Sequence, residues 1–317
     1  MRPWSLVACL AVLSGCATDL RPPGSAPAVA GAQVGVQDVA PPEPAIVAAS
    51  AQTVAARDYY ARIEANYRAQ GRLRSDDGGA DAPFDAAALA ENFARIAFFD
   101  EFAEKGGRLV ASGAENRLHR WVEPVRLAVE FGASIPAGQR SADRALIAQY
   151  TTRLSRLTGL AMRMTGWRVN HTVLVLNGDE RRAAGPRLAA LAPGISAAAI
   201  RSVTDMAPDI YCTVFAFTAG SSAEYRRAVT VIRGELPEAM RLACIHEELA
   251  QSLGLVADHP RARPSIFNDN EEFALLTRQD EMMLTMLYDP RLWPGMTLAE
   301  ARPIIATMAA ELIGGDG

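Results

Sequence analysis

Cys244-Ile245-His246-Glu247-Glu248-Leu249-Ala250-Gln251-Ser252-Leu253-Gly254-Leu255 is the stretch on which the fold of this 317-residue chain turns. Pro237 lies at the start of the segment, so the spacing predicts a helix that begins there and runs through the stretch. At 100° per residue, Leu242, Ile245, Leu249 and Leu253 form one apolar stripe. Glu247, Gln251 and Gly254 fall together on the opposite side, and Glu248 projects between the two.

A spacing of one helical turn is what aims the two imidazoles of His-Glu-x-x-His at one zinc ion. Here Glu247 and Gln251 hold that spacing, and Glu248 holds the place of the general base. Downstream come Ser265-Ile266-Phe267, then Leu276-Thr277-Arg278-Gln279-Asp280, then Leu287-Tyr288. Over these 42 residues, 247–288, the order and spacing resemble those of matrix-type metzincins, a family of zinc peptidases. Those enzymes carry His-Glu-x-Gly-His-x-Leu-Gly-Leu, a third ligand, a Ser-x-Met turn and a Leu-Thr-x-x-Asp helix ending near Leu-Tyr. The resemblance implies an α+β fold with a metzincin-like mixed sheet packed by helices. It also implies a structural turn at Ser265 and Phe267, and Glu248 as the catalytic base.

The departures fall on the metal ligands. Glu247 and Gln251 replace two histidines, and Phe267 replaces the turn methionine. Ala257 stands at the third-ligand place, with Asp258 and His259 just after it. Residues 120–296 also resemble a family of proteobacterial lipoproteins and secreted proteins that carries no established activity. Its members share Cys-x-x-Glu-Glu-x-x-Gln-x-Leu-Gly-Leu, Pro-Ser-x-Phe-Asn-Asp and Leu-Tyr-Asp-Pro.

Zinc lowers the pKa of its bound water by roughly nine units, or about 12 kcal/mol. General-base action by Glu248 alone supplies about 3–5 kcal/mol, which does not replace that. Two alternatives follow for Glu247, Gln251 and Asp258. They hold a divalent metal, and oxygen donors would suit magnesium, calcium or manganese better than zinc. Otherwise no cofactor binds, and Glu247 and Gln251 hydrogen-bond the backbone of residues 258–268, as buried polar groups require. The second is the expectation adopted.

His246 has Ala250 one turn on and no partner at ligand spacing, so it is expected to pack or to lie at the surface rather than ligate. His259 is expected to be exposed. Asn268-Asp269-Asn270-Glu271-Glu272 lacks the glycine and distal glutamate of a calcium loop, and is expected to cap and open a helix over roughly 270–289. Met282, Met283, Met286 and Leu287 are expected in the core.

The ends of the sequence speak to location. Arg2 is followed by a short apolar run and by Leu13-Ser14-Gly15-Cys16, which resembles a bacterial lipobox. That resemblance implies a signal peptide over 1–15 and lipidation of Cys16, with two or more acyl chains anchoring the protein to a membrane. Ala17 after the cysteine favours the periplasmic face of the outer membrane, and Asp19 argues the other way. Residues 16–50 are rich in Ala and Pro and are expected to form a disordered tether. Once Cys9 leaves with the signal and Cys16 carries lipid, Cys212 and Cys244 remain. In an oxidising compartment they are expected to pair, closing a loop worth about 3–4 kcal/mol, with two buried thiols as the alternative.

Residues 51–317 are expected to be a single domain, with helices over 51–120 and a core over 121–317. Within it the patterning predicts a helix over 52–72, one capped by Asp85, and a strand over 125–131. A helix opened by Ser141 or Asp143 and stopped by Gly159 follows, then strands near 161–165 and 172–176. One or two short helices over 180–203, strands over 211–218 and 228–233, and a last helix over 297–313 complete the order.

A formal charge of −4 offers no basic surface for nucleic acid. Without Gly-x-Ser-x-Gly there is no support for a serine hydrolase. The expected function is a cell-envelope lipoprotein whose degenerate peptidase-like domain binds or scaffolds a peptide, protein or wall component without catalysis. The alternative is a metal-dependent, peptidase-like hydrolase using Glu248.

Overall fold

The computed structural model describes residues 44–315. The expected signal peptide, the lipidation site at Cys16 and residues 16–43 of the tether lie outside the described residues.

Seven described residues precede the first helix, and they are held by Arg140 Nη1 donating to the Pro44 carbonyl and Val47 N–H donating to the Ala133 carbonyl. Helix α1 (Ala51–Ala69) is capped by the Ser50 hydroxyl. Helix α2 (Ala86–Ala97) is capped by the Asp85 carboxylate and buries Leu89, Phe93, Ile96 and Ala97, as the patterning predicts. The region 51–120 is not purely helical. Strands β1 (Phe102–Lys105) and β2 (Arg108–Ala111) form an antiparallel hairpin. Gly106 and Gly107 join them at φ 57° and 72°, the left-handed conformation a two-residue hairpin turn requires.

The main sheet follows. Its strands are β3 (Arg120–Trp121), β4 (Val125–Phe131), β5 (Met162–Met164), β6 (His171–Leu176), β7 (Cys212–Thr218) and β8 (Glu224–Arg233). The order is β3-β8-β6-β4-β5 with every pair parallel, and β7 joins β8 antiparallel. Alternation along β4 sends Val125, Leu127, Val129 and Phe131 to one face, where they meet Val173, Val175, Ala228 and Ile232 in the main core. Leu174, Leu176, Val229 and Val231 face the other way.

Helices cover both faces. On the second face lie α4 (Gly178–Arg182), α5 (Gly185–Leu191) and α6 (Ala197–Thr204), which supply Leu188 and Val203. These are three short helices where one or two were expected. On the first face lie α3 (Ala137–Thr158), α7 (Glu238–Gln251), α8 (Arg278–Leu287) and α9 (Leu298–Gly314). Tyr60 of α1, Phe93 of α2, Leu249 of α7 and Met283 of α8 share one buried cluster, so the N-terminal elements and the sheet have a common core. The architecture is α+β, a largely parallel sheet packed by helices.

Two boundaries differ from expectation for local reasons. Helix α3 starts at Ala137 with Pro136 in the cap position, one turn before Ser141, because a fixed proline φ suits a helix entry. It ends at Gly159, φ 67°, as expected. Helix α8 does not open at 268–272. Asp269 and Glu271 sit at φ 54° and 57°, which no helix tolerates. The segment is instead pinned alongside residues 73–74, with Leu73 N–H donating to the Glu271 carbonyl and Arg74 N–H to the Glu272 carbonyl. The true cap is Thr277, in a reciprocal capping box with Asp280.

Candidate functional site

Helix α7 leaves the sheet directly after β8 and is fixed along its length. Arg241 pairs with buried Asp143 of α3 at 2.7 Å and donates to the Leu236 carbonyl. Cys244 is disulfide-bonded to Cys212 at the start of β7, with Cα atoms 5.9 Å apart, so the expected pairing is present. Beyond the helix, the Trp121 indole donates to the Ser252 carbonyl and the Tyr288 hydroxyl to the Leu253 carbonyl. Gly254 has φ 127°, and a Cβ there would lie 2.2 Å from the His119 carbonyl oxygen. Only glycine allows the chain to turn so tightly past that strand.

The helix is buried almost all round. Ile245 and Leu249 of the expected apolar stripe are buried, but so are His246, Glu248 and Gln251, while Leu242 is only half-buried. His246 packs rather than lying at the surface. Its ring stacks on Tyr150 at 4.0 Å, and its Nδ1 accepts from Leu276 N–H at 3.0 Å. Burial, helped by Arg153, lowers its pKa to about 3, so it is a neutral structural group. His259 is half-buried rather than exposed, with its N–H donating to the Phe267 carbonyl.

The structural turn at Ser265 and Phe267 is held by a complete polar network. The Asp280 carboxylate accepts from the Ser265 hydroxyl, Ile266 N–H, Thr277 N–H and the Thr277 hydroxyl. Gln279 donates to the Pro264 carbonyl and accepts from Asn92 of α2 at 2.8 Å. Phe267 is fully buried in the core that also holds Leu249, Met282, Met283, Met286 and Leu287. Burial raises Asp280 to about 6 against the opposing hydrogen bonds.

Glu247 and Gln251 do not take part. Neither side chain makes a hydrogen bond among the described residues, to the 258–268 backbone or elsewhere, so the expected support of that loop by these two residues is replaced by the Asp280 network. Glu247 instead belongs to a group of carboxylates. Val256 and Ala257 N–H both donate to the Ile96 carbonyl, which brings Asp258 beside the end of α2 and the following Glu101. The His259–Phe267 bond brings the 268–271 loop to the same place.

The electrostatics register this gathering. Burial and then Asp258, Glu248, Glu271 and Glu101 push Glu247 well above its ordinary value. Burial and then Glu101 and Asp258 do the same to Glu248. Burial with neighbouring carboxylates takes Glu101 to about 8, and Asp258 and Glu271 each to about 7. Glu248 Oε2 and Asp258 Oδ1 are buried without a hydrogen-bond partner among the described residues, as is Asn268 Nδ2.

Of the residues expected at the site, Glu247, Glu248 and Asp258 come together, and Gln251 lies buried one turn along α7. Glu101, Asp269 and Glu271 join them unforeseen. The signal for the last two was a run of acidic residues after Asn268; Glu101 carried none. Zinc does not fit. The three ligand positions supply no imidazole, and among the described residues no group of three or more His, Cys, Asp or Glu side chains is arranged to hold a metal ion.

No curated protein and no solved structure matches the chain. Residues 86–307, from the first residue of α2 into α9 and so across the whole sheet, the motif helix and the acidic loops, match the family described as protein of unknown function (DUF2927), and the chain belongs to that family.

Proposed function

We propose that this protein is a cell-envelope lipoprotein, anchored through Cys16, whose peptidase-like domain binds a polypeptide segment beside α7 without cleaving it. The observation that carries this reading is the contrast along α7 itself. The surrounding architecture is fully built, with a mixed sheet, a disulfide-tied helix and the turn at 265–267, while the side chains at the three ligand positions form no metal-holding group. Fold alone does not decide function. The chemistry of Glu247, Gln251 and Asp258 supports binding over water activation.

A polypeptide is favoured by β7. Its seven residues pair with β8 on one side and with no other strand among the described residues. Cys212 ties the start of that free edge to α7, one turn before Glu248. An unpaired edge strand can add an extended chain through backbone hydrogen bonds.

The test is a peptide library presented to the intact, detergent-solubilised protein with and without zinc, manganese and calcium. Expected are retained peptides, no new termini by mass spectrometry, and no tightly bound metal. Metal-dependent cleavage that disappears in Glu248→Gln would instead establish the hydrolase alternative.

A further inference from the structure

The carboxylates around α7 are treated differently from most acidic groups in the neighbouring loops. The chain has 31 arginines, and its acidic side chains in this region are generally paired. Glu272 takes both Arg263 and Arg74, Asp76 and Asp81 take Arg74, and Glu91 takes Arg95. Glu101, Glu247, Glu248, Asp258, Asp269 and Glu271 have no ion-pair partner among the described residues, and only Arg72 eases the field at Glu271. Adjacent residues, Glu271 and Glu272, thus have opposite fates.

The feature that points to a ligand is Glu248. It is 4 % exposed, its Oε2 has no hydrogen-bond partner among the described residues, and its carboxylate lies in the field of Glu101 and Asp258. Asp258 Oδ1 is likewise without a partner among them. Each such group calls for an explanation. A donor-rich cation would satisfy both oxygens. Asn268 Nδ2, ten residues after Asp258, is a buried donor without an acceptor among the described residues and would take a carbonyl oxygen. A metal ion is the poorer occupant, because among the described residues no three such side chains are arranged to hold one. A guanidinium or ammonium group, with several N–H donors spread over a larger frame, suits dispersed acceptors.

We propose that these carboxylates form a recognition pocket for one organic cation, the guanidinium or ammonium group of a side chain on the bound polypeptide, with Glu248 and Asp258 as its direct acceptors. The proposal rests on the polypeptide-binding reading and names the chemistry of its ligand.

The test uses the intact protein in detergent and two kinds of probe. The first is a set of heptapeptides of Gly, Ala and Thr, identical except for a central Arg, Lys, citrulline or Glu, read by fluorescence anisotropy at fixed ionic strength. The Arg or Lys peptide is expected to bind about tenfold or more tighter than the citrulline peptide, as one charge-assisted contact implies. Glu248→Gln and Asp258→Asn are expected to bring it down to the citrulline value. Equal binding of the Arg, Lys and citrulline peptides overturns the pocket and leaves polypeptide binding standing.

The second probe is arginine amide against citrulline amide, read as a rise in melting temperature. A rise with arginine amide alone, lost in Glu248→Gln, supports the pocket even where no peptide binds, and in that case polypeptide binding is what fails. No response to any cationic probe overturns the pocket. Calcium or manganese that raises the melting temperature at micromolar concentration and excludes arginine amide also overturns it, by making a metal the occupant.

Discussion

Two buried carboxylates, Asp280 and Glu248, are handled in opposite ways. Asp280 is enclosed and every donor around it is used, which locks the 265–267 turn. Glu248 is as deeply enclosed, yet it meets other carboxylates instead of donors and keeps one oxygen without a partner. The first is structure. The second is the acid that the proposed cation would satisfy.

The sharpest way to break this comparison is to remove Asp280. Asp280→Ala strands the Ser265 hydroxyl, two backbone N–H groups and part of the Thr277 capping box, and a loss of about 3–5 kcal/mol is expected from denaturant unfolding. A loss under about 1 kcal/mol would mean that the network is ornamental. Gly254→Ala comes next. A Cβ pressed against the His119 carbonyl, at a φ foreign to alanine, is expected to cost about 2–4 kcal/mol and to loosen the chain leading from α7 to Asp258.

The pH dependence separates the two sides more finely. The folded state raises the carboxylates of the acidic group, Glu101 to about 8 and Asp258 and Glu271 to about 7, by burial and by one another. Arg72 is the basic group facing Glu271. The folded protein therefore binds more protons than the unfolded chain between the ordinary carboxylate range and about pH 8. Stability should fall as pH rises through that window. His171 and His246, both lowered to about 3 by burial, act in the other direction and cost stability as pH drops below about 6.5. Thermal melting should thus peak on the mildly acidic side and decline by pH 8, and arginine amide should restore part of the decline.

The smallest effect is the most diagnostic. Glu248→Gln should leave the stability of the free protein within about 1 kcal/mol of its original value, because burial and the neighbouring Glu101 and Asp258 already favour a neutral side chain there. A larger destabilisation would place Glu248 with Asp280 as a structural acid.

Much of the frame was legible in the sequence because it rests on local periodicity. The strand at 125–131 shows alternating branched and aromatic residues, Gly159 stops a helix as an αL residue should, and Asp85 caps one. The spacing from 247 to 288 located the turn and the helix behind it. What was missed depends on pairing between distant segments. The run 268–272 has the composition of a helix start, but its backbone is claimed by Leu73 and Arg74, about 200 residues earlier in the chain, and forced through left-handed conformations. Gly106-Gly107 is a readable hairpin signal that the expectation of helices over 51–120 passed over. Glu101 could not be foreseen, since its role comes from the contact of Ile96 with residues 256–257.

The disulfide between Cys212 and Cys244 bears on how far β7 and α7 can separate. It joins the first residue of the edge strand to the helix one turn before Glu248, so at that end strand and helix cannot part. Any hinge must lie toward the other end of β7, where the ladder to β8 already slips between Phe217 and Thr218.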